Sequence, residues 1–224
     1  MRLVAAATLL CPLAAVLVLD APARAEEAAA PAAAGVVTGK VTVEGAADGP
    51  IVVYIEETPD EAKAAKERPK VVQKNTRFEP GVVIVVKGQK VDFPNEDLFY
   101  HNVFSVSPGN EFDLGLYRGG VSKSAKLKKP GEVDVYCNIH ENMHAKILVL
   151  QNDHYVAASD DGSFKLEGVP PGKYTLVAWS KSHAPGKAEI EVKASGTTTQ
   201  GFSLKAKPKS KHLNKHGEQY GRYK

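Results

Sequence analysis

Cys137-Asn138-Ile139-His140-Glu141-Asn142-Met143 is the stretch on which the reading of this chain turns. Within seven positions it carries a thiol, an imidazole and a thioether. With seven His and two Met in 224 residues, chance puts His at +3 and Met at +6 from a given Cys about once in 3,600 trials. The segment before it, Glu132-Val133-Asp134-Val135-Tyr136-Cys137, alternates with a period of two. A strand here sets Val133, Val135 and Cys137 on one face and Asp134 and Tyr136 on the other. The thiol then points inward. A second strand, Ala145-Lys146-Ile147-Leu148-Val149-Leu150, leaves the stretch, so residues 138–144 form a loop that can return His140 and Met143 towards the Cys137 sulfur.

Thiolate and thioether are soft donors, and together with imidazole they select copper; two His and one Cys with a weak axial Met form the ligand set of an electron-transfer site. A second His stands upstream, in Phe93-Pro94-Asn95-Glu96-Asp97-Leu98-Phe99-Tyr100-His101-Asn102-Val103-Phe104-Ser105. At these residues the chain resembles the cupredoxins, the plastocyanin and amicyanin type of small blue copper protein. The likeness covers about residues 70 to 150, through Phe78-Glu79-Pro80, Lys87-Gly88, Val91-Asp92-Phe93, His101-Asn102-Val103, Lys129-Pro130-Gly131, Tyr136-Cys137, His140 and Met143. It implies a Greek-key β-sandwich or barrel holding one type 1 copper ion through His101, Cys137, His140 and Met143. It also implies that His140 is the solvent-facing ligand and that Asn102 ties the two ligand loops together. The two-residue gap between His140 and Met143 looks like amicyanin rather than plastocyanin. Amicyanin-like loops carry Pro beside the ligands where this one has Ile139 and Glu141, which makes the surface around His140 more acidic.

Residues 1–25 have a basic start, an apolar run from Leu3 to Leu19 and an Ala23-Arg24-Ala25 end, the pattern of a cleaved export signal. The expected location is periplasmic or secreted. Cys11 and Met1 leave with the signal, so Cys137 is the sole mature cysteine; it has no disulfide partner within the chain and is a reactive thiol or a ligand. Residues 26–34 read as an Ala/Pro-rich leader. Val37–Glu44 and Ile51–Glu56 read as strands around a Gly/Asp turn, and Thr58-Pro59-Asp60-Glu61 as the start of a short helix reaching about Lys66. Further strands are expected at Val82–Val86, Lys90–Phe93 and Asn102–Val106, with Ser107–Lys128 as long loops.

Beyond Leu150 the pattern changes to Asp161-Gly162-Ser163-Phe164 and then Pro170-Pro171-Gly172-Lys173-Tyr174-Thr175-Leu176. Here the chain resembles the carboxypeptidase regulatory-like, or transthyretin-like, β-sandwich, a domain that starts with two more strands. Val37–Glu56 looks like those two. The expected fold is all-β: a cupredoxin domain at 68–150 inserted into a small sandwich made of 35–57 plus 151–205, against the alternative of two consecutive domains. The whole also resembles the methylamine-utilisation proteins.

Residues 205–224 hold seven basic residues against Glu218, a net +6. Setting this and the signal's +1 aside from the chain's +3 leaves −4 over 26–204. The segment 206–224 reads as a basic disordered tail, able to touch an acidic partner or an anionic membrane surface. Nucleic acid is not expected as a partner outside the cytoplasm. His144, His154 and His183 read as surface residues, and His212 and His216 as loose metal binders at most.

The function expected is a one-electron carrier between exported redox proteins such as a c-type cytochrome or a dehydrogenase. The alternatives are a copper-binding or copper-delivery protein and a structural module with a vestigial site. Copper enzymes on this fold need a second site, with His-x-His pairs that this chain lacks, so no enzyme is expected.

Overall fold

The computed structural model describes residues 33–59, 67–208 and 212–220. The export signal, most of the leader and residues 60–66 of the expected helix lie outside them. Two strands come first, β1 (Gly35–Val43) and β2 (Ile51–Ile55). They are followed by β3 (Val72–Lys74), β4 (Arg77–Glu79), β5 (Val82–Val86), β6 (Lys90–Pro94), β7 (His101–Ser105), β8 (Phe112–Tyr117), β9 (Ser122–Lys126), β10 (Gly131–Tyr136) and β11 (His144–Leu150). The remainder are β12 (Tyr155–Ala157), β13 (Ser163–Val169), β14 (Gly172–Ser180), β15 (His183–Val192), β16 (Thr197–Thr199) and β17 (Phe202–Leu204). The fold is all-β, with no helix among the described residues.

β1 lies antiparallel to β13 and parallel to β16 and β17. β2 lies between β12 and β14, and β14 carries β15 on its other side. The two sheets enclose one core, including Val37 and Val41 of β1, Val53 and Ile55 of β2, and Phe164, Leu176, Ile190 and Leu204. The strands before residue 56 and those after 155 thus complete each other's sheets. β1 approaches its neighbours so closely that a Cβ on Gly39 would sit 1.8 Å from the Gln200 carbonyl oxygen, which is why the alternation of β1 has a glycine at that point.

Between the two halves of this sandwich lies a second β-layered unit. Its main sheet runs β5-β11-β10-β7-β8, with β5 parallel to β11, and is faced by the pairs β6-β9 and β3-β4. Val83, Val85, Val91, Phe93, Val103, Leu127, Val133, Val135, Ile147 and Val149 form its core, together with Cys137 and Met143. The region 107–128, expected as loops, contributes two strands. β9 has only Ala125 buried in a Ser-Lys-Ser-Ala-Lys run, and Gly115 breaks the alternation of β8, so neither showed the apolar period that marks a strand.

β2, β5 and the Ile147–Leu150 half of β11 read as unbroken apolar runs because both of their faces are covered. The outward residues Val52, Val82, Leu148 and Leu150 pack with Trp179 into a third core between the two units. Beside it Glu132 accepts hydrogen bonds from Trp179 Nε1 at 2.9 Å, Lys207 Nζ at 2.9 Å and Lys146 Nζ at 2.7 Å. Burial would raise the Glu132 carboxyl, but these donors outweigh it and hold the carboxyl below its ordinary value.

Candidate metal centre

The β10–β11 hairpin closes where Tyr136 pairs with His144, leaving residues 137–143 as its loop. That loop is tied within itself: the Cys137 amide donates to the Met143 carbonyl at 3.2 Å, and the Met143 amide to the His140 carbonyl at 3.1 Å. Period two in β10 carries Cys137 into the core, where it and Met143 are fully buried. His101, the first residue of β7 and opposite Tyr117 of β8, is fully buried as well. His140 is half-buried at the loop's outer side.

Three donor atoms converge there. His101 Nδ1 lies 3.1 Å from His140 Nδ1, and Cys137 Sγ lies 3.6 Å from His140 Nδ1 and 4.0 Å from His101 Nδ1. Among the described residues this is the one such group of His, Cys, Asp and Glu donors close enough to share an ion. An ion bonded at about 2.0–2.1 Å to imidazole and about 2.3 Å to thiolate can span all three separations, since each is shorter than the two bonds that would bridge it. The residues therefore fit a small, soft-accepting transition-metal ion. Met143 shares the core cluster of Cys137 on the buried side.

The orientation of His101 is fixed by Asp97. Its Nε2 lies 2.7 Å from Asp97 Oδ2; an ionised carboxylate only accepts, so the ring proton sits on Nε2 and the Nδ1 lone pair faces the cluster. Asp97 also accepts from the Asn75 amide at 2.7 Å and the Thr76 amide at 3.0 Å. Both residues have positive φ, 52° and 57°, in the tight turn between β3 and β4. Burial would raise the Asp97 carboxyl, but the Thr76 amide, His101 and the Asn75 amide outweigh it, and its pKa is lowered. The Asp97 carbonyl is met so closely by Gly119 that a Cβ there would stand 2.0 Å from it. Burial lowers the pKa of His140, and neighbouring His101 lowers it further.

The structure brings His101, Cys137 and His140 together and places Met143 in the same core cluster as Cys137. Asp97 was missed, since its partners come from a turn more than 20 residues away. Asn102 does not tie the two ligand loops directly: its Nδ2 donates to Asp113 Oδ1 at 2.7 Å, and its Oδ1 is buried with no partner among the described residues. His144 is not a free surface residue but pairs with Asp134 at 2.8 Å. His183 is fully buried, with Nε2 3.0 Å from the Glu44 carbonyl and Nδ1 beside the Ser180 and Ser182 hydroxyls. The segment read as a disordered tail makes defined contacts in its described residues, 206–208 and 212–220. His212 stacks on Tyr136 with ring centroids 4.2 Å apart, and Tyr220 donates to the Cys137 carbonyl at 2.9 Å.

Among protein families, the model described as polysaccharide lyase family 4, domain II, matches residues 144–200. No curated protein matches the chain. Among solved structures, a purple cupredoxin from Nitrosopumilus maritimus is 16% identical, with a TM-score of 0.33 over 36% of this chain and 98% of its own. An amicyanin variant in its Cu(I) form is 20% identical, with a TM-score of 0.35 over 43% of this chain and 97% of its own. A copper-containing nitrite reductase from Thermus scotoductus is 22% identical, with a TM-score of 0.35 over 49% of this chain, which spans 28% of that enzyme.

Proposed function

We propose that this protein is an exported type 1 copper protein that carries single electrons between redox partners and catalyses no reaction of its own. The observation that carries the reading is the convergence of His101 Nδ1, Cys137 Sγ and His140 Nδ1 within 4.8 Å of one another. Cys137 as thiolate and the two imidazoles through Nδ1 would hold the ion, with the Met143 thioether as a further, weaker donor. A bound copper ion would supply the one-electron couple. The protein's own part is to keep the donors in one arrangement in both oxidation states. His101 is locked by Asp97, and Cys137 is held by the ladder of β10 and by the Met143 carbonyl, so little has to move when an electron arrives.

His140 is the group through which an electron would pass outward. Its ring lies 5.9 Å from that of Phe99, and Leu98, Phe99 and Tyr100 are exposed beside it. A cleft of about 720 Å³ opens next to it, lined by Arg77, Phe78, Asn142 and Lys181 among others. Partners of the proposed class, an exported c-type cytochrome or a dehydrogenase, would dock on this face. Two lysines of the basic segment, Lys207 and Lys215, are already paired within the molecule, so a steering role would fall to the remaining ones. We read the split sandwich as a carboxypeptidase regulatory-like domain that carries the copper unit.

The test is the visible and EPR spectrum of the copper-loaded protein, followed by stopped-flow electron exchange with exported redox proteins. A strong sulfur-to-copper charge-transfer band that Cys137→Ser abolishes, with Met143→Leu shifting the potential but retaining copper, is the expected result. A colourless Cu(II) complex would overturn the site. Slow electron exchange with ready transfer of copper to an apo acceptor would make delivery the function.

A further inference from the structure

The segment 212–220 lies against the outside of the loop that carries Cys137 and His140. It is folded into a compact turn, in which the Asn214 side chain accepts from the His216 and Glu218 amides and the Asn214 amide donates to the Glu218 carbonyl. From that turn three contacts reach the loop. His212 Nε2 is 2.8 Å from the Glu141 carbonyl, the Lys215 amide donates to Asn138 Oδ1 at 3.0 Å, and Tyr220 donates to the Cys137 carbonyl at 2.9 Å. The His212 ring is stacked on Tyr136 at the foot of the loop, and Tyr220 meets His212 edge-on at 5.2 Å. A fourth contact crosses to the other ligand segment, where Lys215 Nζ lies 2.8 Å from Asp113 Oδ2.

Asp113 also holds Asn102, the neighbour of His101, through its other oxygen at 2.7 Å. A path therefore runs by hydrogen bonds from Asn102 to Asp113 and from Asp113 to Lys215 Nζ, along the lysine side chain, and from the Lys215 amide to Asn138. Its ends are the residues directly after His101 and directly after Cys137. Burial would raise the Asp113 carboxyl; Lys215, Asn102 and the Gly115 amide outweigh it and keep the carboxyl ionised.

We propose that residues 212–220 are a strap that sets the spacing of the two metal-binding segments, with Lys215 and Tyr220 as positioning residues. The proposal rests on the metal reading above for its purpose, though not for its geometry. Without the strap the loop 137–143 keeps its internal bonds, the pairing of β10 with β11 and β7 and the core packing of Cys137 and Met143, but loses the hydrogen-bonded connection through Lys215 and Asp113 to Asn102. Outer residues that orient ligands are worth a factor of roughly 10–100 in metal affinity, so the strap is expected to act on affinity and on spectral line shape without contributing a donor.

Full-length Lys215→Met keeps the amide that holds Asn138 and loses only the bond to Asp113; Tyr220→Phe loses only the bond to Cys137; a triple variant adds His212→Ala. The first measurement uses the metal-free protein: amide hydrogen exchange of residues 138–143 should quicken about tenfold in the triple variant, while β1 and β14 keep wild-type protection. The second is titration with Cu(II), in which the affinity of the triple variant should fall about tenfold and its thiolate charge-transfer band should shift, whereas the single Lys215→Arg variant, which keeps a cation for Asp113, should match wild type in both. Loop exchange and Cu(II) affinity that match wild type in the triple variant would overturn the strap. Quickened exchange in a protein whose wild type shows no thiolate band would instead keep the strap and sink the copper reading, so the two failures are distinguishable.

Discussion

Asp97 joins three pieces of chain through one carboxylate: the Asn75–Thr76 turn, its own loop and the ring of His101. Replacing it with Ala would leave two amides without acceptors and the imidazole free to turn over. We expect Asp97→Ala to cost about 1–3 kcal/mol of stability, read from urea unfolding, and about 10–100-fold in Cu(II) affinity, read by competition with a chelator. Gly39 is a second single-residue constraint, one of space. Gly39→Ala drives a methyl into the Gln200 carbonyl and should destabilise the sandwich by about 2 kcal/mol or more, with loss of exchange protection in β1 before any change at the 137–143 loop. The cluster was legible in the sequence because Cys137, His140 and Met143 stand within seven positions and combine an imidazole with two soft sulfur groups. Asp97 was not, because it stands among ordinary surface acids until the fold brings two amides to it. His183 was not legible either: its partners are a serine pair and the Glu44 carbonyl, 139 residues away in the chain.

Strands that bury one face announced themselves by alternation, as β10 and β1 do, and strands that bury both announced themselves as apolar runs, as β2 and β5 do. What carried no such signature was β9, a polar edge partner of β6, and the 212–220 turn, whose attachment is by amides, carbonyls and stacked rings rather than by an apolar stripe. The pairing of β1 with β13, β16 and β17, and of β2 with β12 and β14, has a direct consequence for isolated segments. A peptide of residues 151–205 exposes the β13, β14 and β16 edges that β1 and β2 cover, and lacks Val37, Val41, Val53 and Ile55 from its core. It should show no cooperative thermal transition by circular dichroism. Joining residues 35–57 to it through a short linker should restore one. Cooperative melting of 151–205 by itself would contradict this account.

The two units share the core around Trp179 and the charge network beneath it, so they should unfold together. Leu150→Ala opens that shared core and should cost about 2–4 kcal/mol, splitting a single urea transition into two. The network also sets the acid response. Burial would raise the Asp134 carboxyl, but the bond from His144 and the nearby Lys146 pull its pKa down to about 2. A carboxyl depressed on folding stabilises above its ordinary pKa near 4 and loses that contribution as pH falls through about 2. For a group about a third exposed the contribution is at most about 2 kcal/mol. The stability difference between wild type and Asp134→Asn should therefore be full at pH 6 and nearly gone at pH 2, as measured by urea midpoints. The insertion of one unit in the other also dictates an order of events. Val43 pairs with Leu204, so on a ribosome β1 emerges long before any of its three partners exists, and it must wait while the whole inserted unit is made. Once that unit folds it draws its two ends together, and the gap β1 must close becomes that of a short tether rather than of a hundred-residue coil, a saving of about 1 kcal/mol in closure entropy. Pulse-labelled refolding should therefore show β5, β10 and β11 protected first and β1 last, and a lesion that slows the inner unit should delay the outer one by the same interval.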